Sequence, residues 1–278
     1  MSRSYYYLVA GLPDLLLDET RSAAPFSEWV RDVEPQLAGD DPSLLRTLRY
    51  PYDNRNIVAA LDGRQSEHDD RGAFGPEELA AEMKFPESLP AYAAAFLETH
   101  REGRPVAPGL ALLDQITWLF YEEMFGHRNA FLREWFLFDC NLRNLLAALA
   151  VREAAERSSQ DPRAALASAL VGRTDVTEQI LRSTAPDFGL GGMAPWSARV
   201  LALPRGDLVA FEKGVDTLRW QTLDELSVYS YFGIEMVLAF CLKLAMVERW
   251  MGLDAAEGKG LLEKLVDELR TGVGKADR

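Results

Sequence analysis

Apolar residues recur at helical spacing along most of the chain. The clearest case is the segment 135–157, where one helix face carries Leu142, Leu145, Leu146, Leu149 and Ala150. Leucine and alanine dominate this segment, and both residue types favour helix. Helical patterns continue from Pro76 to Leu269, without the apolar–polar alternation that is typical of strands. The pattern therefore predicts an all-α fold, built as a bundle of helical modules.

Three segments near the N-terminus depart from this simple pattern. Tyr5 to Ala10 is aromatic and partly β-branched, so taken alone it predicts a strand. Tyr50-Pro51 predicts the break that ends one helix before the next. The segment from Gly63 to Gly75 is polar and poor in apolar residues, which predicts a surface loop or a lid.

The middle of the chain predicts two long helices, Leu110 to Phe125 and Asn129 to Arg157. A short break near Gly126 separates them. Because short connections join antiparallel neighbours, we expect these helices to pack as a hairpin.

Part of the second long helix occurs twice in the chain. Arg143–Leu149 (RNLLAAL) matches Arg55–Leu61 (RNIVAAL), with five of the seven positions identical. An acidic residue precedes each copy, and a weaker third copy lies at Glu235–Phe240. A repeat of this kind predicts a chain of similar helical modules. We place these modules at 1–103, 104–185 and 186–278.

Polar side chains on these apolar helices are the candidate site residues. They are Asp53, Arg55 and Asn56 in the first copy, Asp139, Asn141, Arg143 and Asn144 in the second, and Glu235 in the third. Buried polar groups are costly unless they are paired. Two interpretations therefore stay open: a structural network that joins helices within a module, or a cluster that faces a binding partner.

The overall charge narrows the choice of partner. The 278 residues carry a formal net charge of −13. Nucleic acids and anionic membrane surfaces both attract basic proteins, so neither is favoured as a direct partner. A protein partner with a basic patch is compatible with this charge, and so is ordinary solubility with no charged partner at all.

The cysteines and the hydropathy pattern bear on location. Cys140 and Cys241 lie in apolar helical stretches, which predicts buried free thiols in a reducing compartment. No signal-peptide pattern opens the chain, and no window reaches about 18 uninterrupted apolar residues. The closest window, Val228 to Met251, is interrupted by charges such as Glu235 and Lys243. We therefore expect a cytoplasmic protein, without direct transmembrane insertion, that meets the membrane only through a partner.

The sequence carries no recognisable catalytic constellation. Gly189–Gly192 lacks the preceding strand and the Lys-Ser/Thr of a phosphate-binding loop. The histidines lie in separate segments, and no closely spaced cysteine pair offers a zinc site. Glu122 and Glu123 are adjacent and point to different helix faces, unlike the carboxylates one turn apart that hold magnesium in helical enzymes. We therefore expect no catalytic residue, no cofactor and no metal.

A family resemblance rests on three stretches: Tyr5–Ala10, the helix pair Asp53–Leu61 and Asp139–Leu149, and Phe232–Leu265, where Glu235 leads an apolar helix. They resemble the Tyr-x-Tyr-Ala opening, the repeated Asp…Asn…Arg…Ala-Leu motif and the last module of the C-type central-stalk subunit (called d in eukaryotes) of V-type and A-type rotary ATPases. The match spans most of the chain. It is closest to a short bacterial branch found in V-type ATPase operons.

The resemblance implies a funnel of three three-helix modules with pseudo-threefold symmetry. Such a protein would lie on the cytoplasmic face of the membrane proteolipid ring and receive the foot of the central rotor shaft. It would have no active site, and it would pass torque between ring and shaft during proton or sodium transport. Its acidic charge would complement basic loops on either partner.

Two other hypotheses stay open. The chain is compatible with a helical scaffold or adaptor unrelated to the ATPase, which would lack pseudo-threefold modules. It is also compatible with an all-α enzyme whose site the motifs do not reveal. Such an enzyme would show a deep pocket with convergent carboxylates.

Overall fold

The computed structural model describes residues 4–17, 24–64, 68–158 and 161–252. Within these ranges all regular structure is helical, which confirms the predicted all-α class. A 3₁₀ turn, Glu34–Gln36, follows the second helix. The helices are α1 Tyr6–Ala10, α2 Phe26–Val33, α3 Asp41–Thr47, α4 Tyr50–Leu61, α5 Pro76–Glu82, α6 Ala91–Arg101, α7 Leu112–Phe125, α8 Ala130–Ser158, α9 Pro162–Ala167, α10 Asp175–Arg182, α11 Ser197–Leu201, α12 Leu208–Ser227 and α13 Ile234–Gly252.

The strand prediction for Tyr5 to Ala10 is wrong, because this segment forms helix α1. Aromatic residues favour strands when a neighbouring strand offers a pleated surface to pack on. Here the neighbour is a turn instead. The backbone N–H of Tyr5 donates to the carbonyl of Phe232 over 2.7 Å, and the ring centroids of Tyr6 and Phe232 lie 4.6 Å apart.

The break predicted at Tyr50-Pro51 falls slightly earlier in the chain. Helix α3 ends at Thr47, and α4 already begins at Tyr50. Proline is well tolerated in the first turn of a helix, where its missing N–H has no helical partner. Pro51 therefore helps to start α4 rather than to end α3.

The predicted hairpin of two long helices is confirmed by α7 and α8, which pack along each other. Tyr121 near the end of α7 donates a hydrogen bond to Asp139 in the first half of α8. Asp114 near the start of α7 pairs with Arg143, which lies further along α8. Because the contacts run in opposite directions along the two helices, the pair is antiparallel.

The described helices form a circuit of packed neighbours. Helix α7 packs against α4, α6 and α8, α8 packs against α12, and α12 packs against α13. Helix α13 then returns to α2 and α3 near the start of the chain. The ring centroids of Trp29 on α2 and Phe240 on α13 lie 5.0 Å apart at this closure. The buried side chains make one continuous core, which includes both Tyr5 and Leu244.

The fold bears on the predictions for the two cysteines and for membrane-spanning helices. Cys140 and Cys241 are buried free thiols, as predicted. In the part of the chain that the structure describes, no helix is both long enough and apolar enough to cross a membrane. The module boundaries at 103/104 and 185/186 stay predictions.

Candidate functional site

Asn56 and Asn144 make the same contact in the two copies of the repeated segment. Each side-chain amide pairs with both backbone groups of one residue further along the chain. Asn56 donates to the carbonyl of Asp69 over 2.9 Å and accepts from its N–H over 2.8 Å. Asn144 pairs in the same way with Val171, over 2.7 Å and 3.0 Å. We call this paired contact the asparagine clasp.

The segment Gly63–Gly75, predicted as a surface loop or a lid, has no regular structure in its described parts, 63–64 and 68–75. The clasp of Asn56 holds the second part against α4, where Phe74 is only 4% exposed. Asp53, one helical turn before Asn56, accepts the backbone N–H groups of Ala73 and Phe74 over 2.8 Å and 3.2 Å. Sequence polarity is misleading here, because the polar groups bind the loop backbone instead of water.

Asp53 is itself a buried carboxylate, with 2% of its surface exposed. Burial raises the pKa of Asp53 to about 6, although the two N–H donors act in the opposite direction. Gly72 is what allows the loop to approach so closely. An ideal Cβ at Gly72 would lie 2.4 Å from the Oδ1 atom of Asp53.

In the second copy, Asn141 takes the place of Asp53. Counted back from the shared Arg-Asn pair, Asp53 corresponds to Asn141 and not to Asp139. Asn141 accepts a hydrogen bond of 2.7 Å from the hydroxyl of Thr174, which lies just beyond the clasped residue Val171. In both copies the bound stretch leads directly into a short helix, α5 in the first and α10 in the second.

Asp139 instead belongs to a cleft between α4, α7, α8 and α12, with a volume of about 330 Å³. We call it the arginine cleft and define it by Arg55, Tyr121, Asp139, Arg143 and Arg219. Its three arginines come one each from the three predicted modules. The cleft thus brings together Arg55, Asp139 and Arg143, three of the residues that the sequence singled out.

The arginines of the cleft differ in how they are paired. Arg143 forms an ion pair with Asp114, while its Nη1 atom is buried without a hydrogen-bond partner among the described residues. Arg219 lies 3.5 Å from Asp139 and also binds Asp216. Arg55 is exposed and makes no ion pair within the described ranges. Its guanidinium carbon lies 5.6 Å from the centroid of the Tyr52 ring.

Tyr121 and Asp139 form the polar end of the arginine cleft. The Tyr121 hydroxyl donates to an Asp139 carboxylate oxygen over 2.8 Å. Burial, reinforced by the nearby charge of Asp139, raises the pKa of Tyr121 well above its ordinary value. The hydroxyl therefore stays protonated at physiological pH and acts as a donor.

Asp216 and Arg219 were missed by sequence reasoning. Asp216 is 1% exposed and accepts from Arg219 over 3.0 Å, from Arg249 over 2.5 Å and from the Trp250 indole over 2.8 Å. These contacts tie α12 to α13 and position Arg219 at the cleft. An Asp and an Arg three residues apart on a helix usually form a surface pair, so the sequence carried no signal that this pair is internal.

Glu235 lies apart from the other candidate residues. It sits in the first turn of α13 and does not line the arginine cleft. An ideal Cβ on Gly233 would lie 2.4 Å from its Oε2 atom, so the carboxylate folds back over the preceding turn. The third module contributes Arg219 of α12 to the cleft instead.

A second surface feature is a group of exposed aromatic rings beside α1, which we call the aromatic patch. Its members are Tyr6, Tyr7, Tyr229, Tyr231 and Phe232. Tyr7 is 90% exposed and Tyr229 is 89% exposed. Grouped exposed aromatic rings of this kind are typical of surfaces that bind another macromolecule.

In residues 4–17, 24–64, 68–158 and 161–252, no three His, Cys, Asp or Glu side chains are grouped so that they would hold a metal ion. The expectations of no cofactor and no catalytic residue stay predictions.

Fold and site together define an all-helical protein with a cleft lined by three arginines and with an exposed aromatic surface. The chain belongs to the family described as "Protein of unknown function (DUF2764)", whose model matches residues 1–273. No curated protein and no solved structure matches the chain.

Proposed function

We propose that this chain is a non-catalytic component of a V/A-type rotary ATPase, which couples the membrane proteolipid ring to the central rotor shaft on the cytoplasmic face of the membrane. The observation that carries the proposal is the asparagine clasp. Asn56 and Asn144 bind the following chain in the same way. That shared contact is what related modules would retain, and the resemblance to the C-type central-stalk protein implies such modules.

Two further observations support a modular arrangement about one axis. The arginine cleft takes Arg55, Arg143 and Arg219 from the three predicted modules. The last described helix, α13, packs against α2 and α3, so the circuit of helices closes around the molecule. A chain of three similar modules wrapped into a funnel would produce both features.

The size of the cleft limits where the shaft would bind. An α-helix with its side chains is about 10 Å across, so a cleft of this volume admits side chains and not a helix. We therefore place the foot of the shaft against the mouth of the arginine cleft. Arg55, which is exposed there, would be among the residues that meet it.

The aromatic patch is our candidate for the surface that meets the proteolipid ring. Tyrosine combines an apolar ring with a polar hydroxyl, and it is enriched where one side of a contact is apolar and the other is wet. The end of a membrane-embedded ring is such a surface. A net charge of −13 makes contact through anionic lipid headgroups unfavourable, which favours attachment through protein.

The test is an affinity isolation of the tagged chain from gently solubilised native membranes, with mass spectrometry of the recovered proteins. We expect both the proteolipid ring and the proteins of the central shaft. Recovery of neither, from membranes that demonstrably contain the intact ATPase, would contradict the coupling role. Recovery of other proteins in their place would favour the scaffold hypothesis.

A variant pair separates the role of the aromatic patch from the overall role. Replacing Tyr7 and Tyr229 with serine removes two rings that the fold leaves exposed, so folding should be unaffected. We expect this double variant to lose the ring and keep the shaft. Phe85→Ser is the matched control, because Phe85 is 77% exposed and lies outside the patch. Equal recovery of the ring by all three proteins would show that the patch is not the docking surface.

A further inference from the structure

The arginine cleft brings three arginines together in a strongly acidic protein. The chain carries a formal net charge of −13, yet the residues that line the cleft include three arginines and a single carboxylate, Asp139. Like charges held close together repel each other unless a counter-charge lies between them. The partners Asp114 and Asp216 compensate two of the arginines from outside the lining. Arg55 makes no ion pair among the described residues, although its charge helps to lower the pKa of the nearby Asp69 carboxyl.

Two guanidinium groups in the cleft still have donors to offer. An arginine has five N–H donors, arranged as a planar fork that matches a carboxylate or phosphate. The Nη1 atom of Arg143 is buried and unpartnered, although a buried donor without an acceptor is costly. Arg55 contacts the face of the Tyr52 ring and makes no ion pair within the described ranges. Both residues line the same cleft, so an oxyanion bound there would offer an acceptor to each side chain.

The rest of the lining selects among oxyanions. Asp139, Asp114 and Asp216 together balance the charges of the three arginines. Without a net positive charge, the site disfavours a doubly charged phosphate more than a singly charged carboxylate. The walls are apolar and are made by Leu113, Phe120 and Leu146. A small apolar group is therefore needed to fill the space beside the charged end of the ligand.

We propose that the arginine cleft binds a monocarboxylate with a short branched apolar tail, held through Arg55 and Arg143. Arg219 stays paired with Asp216 and Asp139, and it contributes positive charge at the back of the site. The carboxylate has two sources with the same chemistry, a free organic acid or the C-terminus of a peptide that ends in leucine. The proposal stands on the cleft alone and does not depend on the coupling role.

The test measures binding of isovalerate to the full-length chain by NMR titration of backbone amides, with 3-methylbutan-1-ol as the uncharged control. We expect isovalerate to shift the amides around the cleft and the alcohol to leave them unchanged. A short acetylated peptide that ends in leucine, compared with its C-terminal amide, distinguishes the two sources. Tighter binding of the peptide acid identifies a protein terminus as the ligand, and tighter binding of isovalerate identifies a free acid.

Two variants place the ligand in the cleft. Arg55→Gln removes an exposed arginine that has no ion pair to lose, and we expect it to weaken binding about tenfold or more. Arg143→Lys keeps a cation beside Asp114 but removes the guanidinium fork, and it should weaken binding similarly. Arg31→Gln is the matched control, because Arg31 is exposed on α2 and does not line the cleft.

Three outcomes would overturn the proposal. The first is that neither isovalerate nor the peptide acid binds at millimolar concentration. The second is that Arg55→Gln and Arg143→Lys bind as tightly as the wild type and Arg31→Gln. The third is that inorganic phosphate binds more tightly than either carboxylate, which would show that the site does not select for a single negative charge.

Discussion

Asn56 and Asn144 hold their following chain segments by the same pair of hydrogen bonds, although the bound residues, Asp69 and Val171, differ in type. The contact uses only backbone groups of the bound residue, so it places no demand on that residue's side chain. The contact can therefore be recognised in the sequence only from the helix, by its Arg-Asn pair, and not from the bound residue. The alignment it fixes also identifies Asn141, and not Asp139, as the counterpart of Asp53.

The clasp of Asn144 should contribute strongly to stability. Asn144→Ala leaves the buried N–H of Val171 unpaired, leaves its carbonyl only the weak thiol donor of Cys140, and removes a donor from the Thr177 hydroxyl. A buried polar group that loses its partner costs about 1–3 kcal/mol. We expect the free energy of unfolding to fall by about 3 kcal/mol or more, measured by chemical denaturation. Asn129→Ala is the control, because it removes one capping bond to Leu132 at the start of α8 and should cost about 1 kcal/mol. Equal losses in the two variants would argue against a special role for the clasp.

The close approach of the 68–75 loop to α4 makes Gly72 intolerant of a side chain. A Cβ on Gly72 would lie 2.4 Å from Asp53 Oδ1 and 3.0 Å from Asn56 Nδ2. We expect Gly72→Ala to lower the free energy of unfolding by about 1–3 kcal/mol. Gly75→Ala, three residues on, meets no atom within 4 Å and has an ordinary φ of −69°. Gly75 is the N-cap of α5, where glycine is preferred to alanine, so we expect a loss of about 0.5 kcal/mol. A destabilisation as large as that of Gly72→Ala would contradict the steric explanation.

Asp53 should make stability depend on pH. Its pKa is about 6 in the fold and 3.8 in the unfolded chain, so the folded state binds more protons between these values. Its contribution is therefore fully present below about pH 4 and is lost as pH rises to about 6, by about 3 kcal/mol. The measurement is the difference in unfolding free energy between wild type and Asp53→Asn across this range, since other groups titrate in both proteins. A difference that does not change with pH would show that Asp53 has no raised pKa.

Asp216 should be a structural anchor for the last two described helices. Asp216→Ala leaves Arg219, Arg249 and the Trp250 indole without their shared acceptor. Removing one partner from a buried ion pair costs about 3–5 kcal/mol, so we expect a loss of that size in thermal or chemical unfolding, with a change in tryptophan fluorescence.

The control for this change is Asp224→Ala. Asp224 pairs with Lys243 on the surface, with 59% of its side chain exposed, and such pairs contribute about 1 kcal/mol or less. If both aspartates prove equally dispensable, Asp216 does not hold α12 and α13 together.

The two thiols should be protected in the folded protein. Burial raises the pKa of Cys140 and of Cys241 far above the ordinary thiol value, so little reactive thiolate is present at neutral pH. We expect no reaction with a disulfide reagent such as DTNB until denaturant is added, when both should react. Rapid modification of either thiol in the native protein would mean that the surrounding helices open readily.

Local patterns were sufficient to predict most of the helices and the packing of α7 on α8, but not how helices distant in the chain meet. The hairpin of α7 and α8 follows from helical periodicity and a short connection, and both are local properties. The strand predicted at Tyr5–Ala10 failed because aromatic preference depends on what lies alongside, here the turn at Phe232. The arginine cleft could not be predicted from the sequence for the same reason, because it depends on which helices pack side by side. Arg219 lines the cleft only because α12 packs against α8.

The candidate polar residues form two groups: some bind chain that follows closely in the sequence, and others have partners on a different helix. Asp53, Asn56, Asn141 and Asn144 bind loops that follow in the chain, and the repeated Arg-Asn motif was a sufficient clue to them. The ion pair of Arg143 with Asp114 depends on the α7–α8 hairpin. Glu235 was selected because it precedes an apolar helix, a feature that many helix starts share.

Each clasp closes off a stretch of chain of a different size, because the paired residues are 13 positions apart in the first copy and 27 apart in the second. The second stretch also includes helix α9. Since the clasp joins the two ends of such a stretch, it fixes the point at which the chain returns to its helix. Ile57 and Leu145 lie within the two stretches and belong to the core, so the helical parts do not tolerate a change of length. We therefore expect insertions and deletions to be absorbed only in the connections between helices, where chain length can change during evolution, or a reporter peptide can be inserted, without moving α5 or α10.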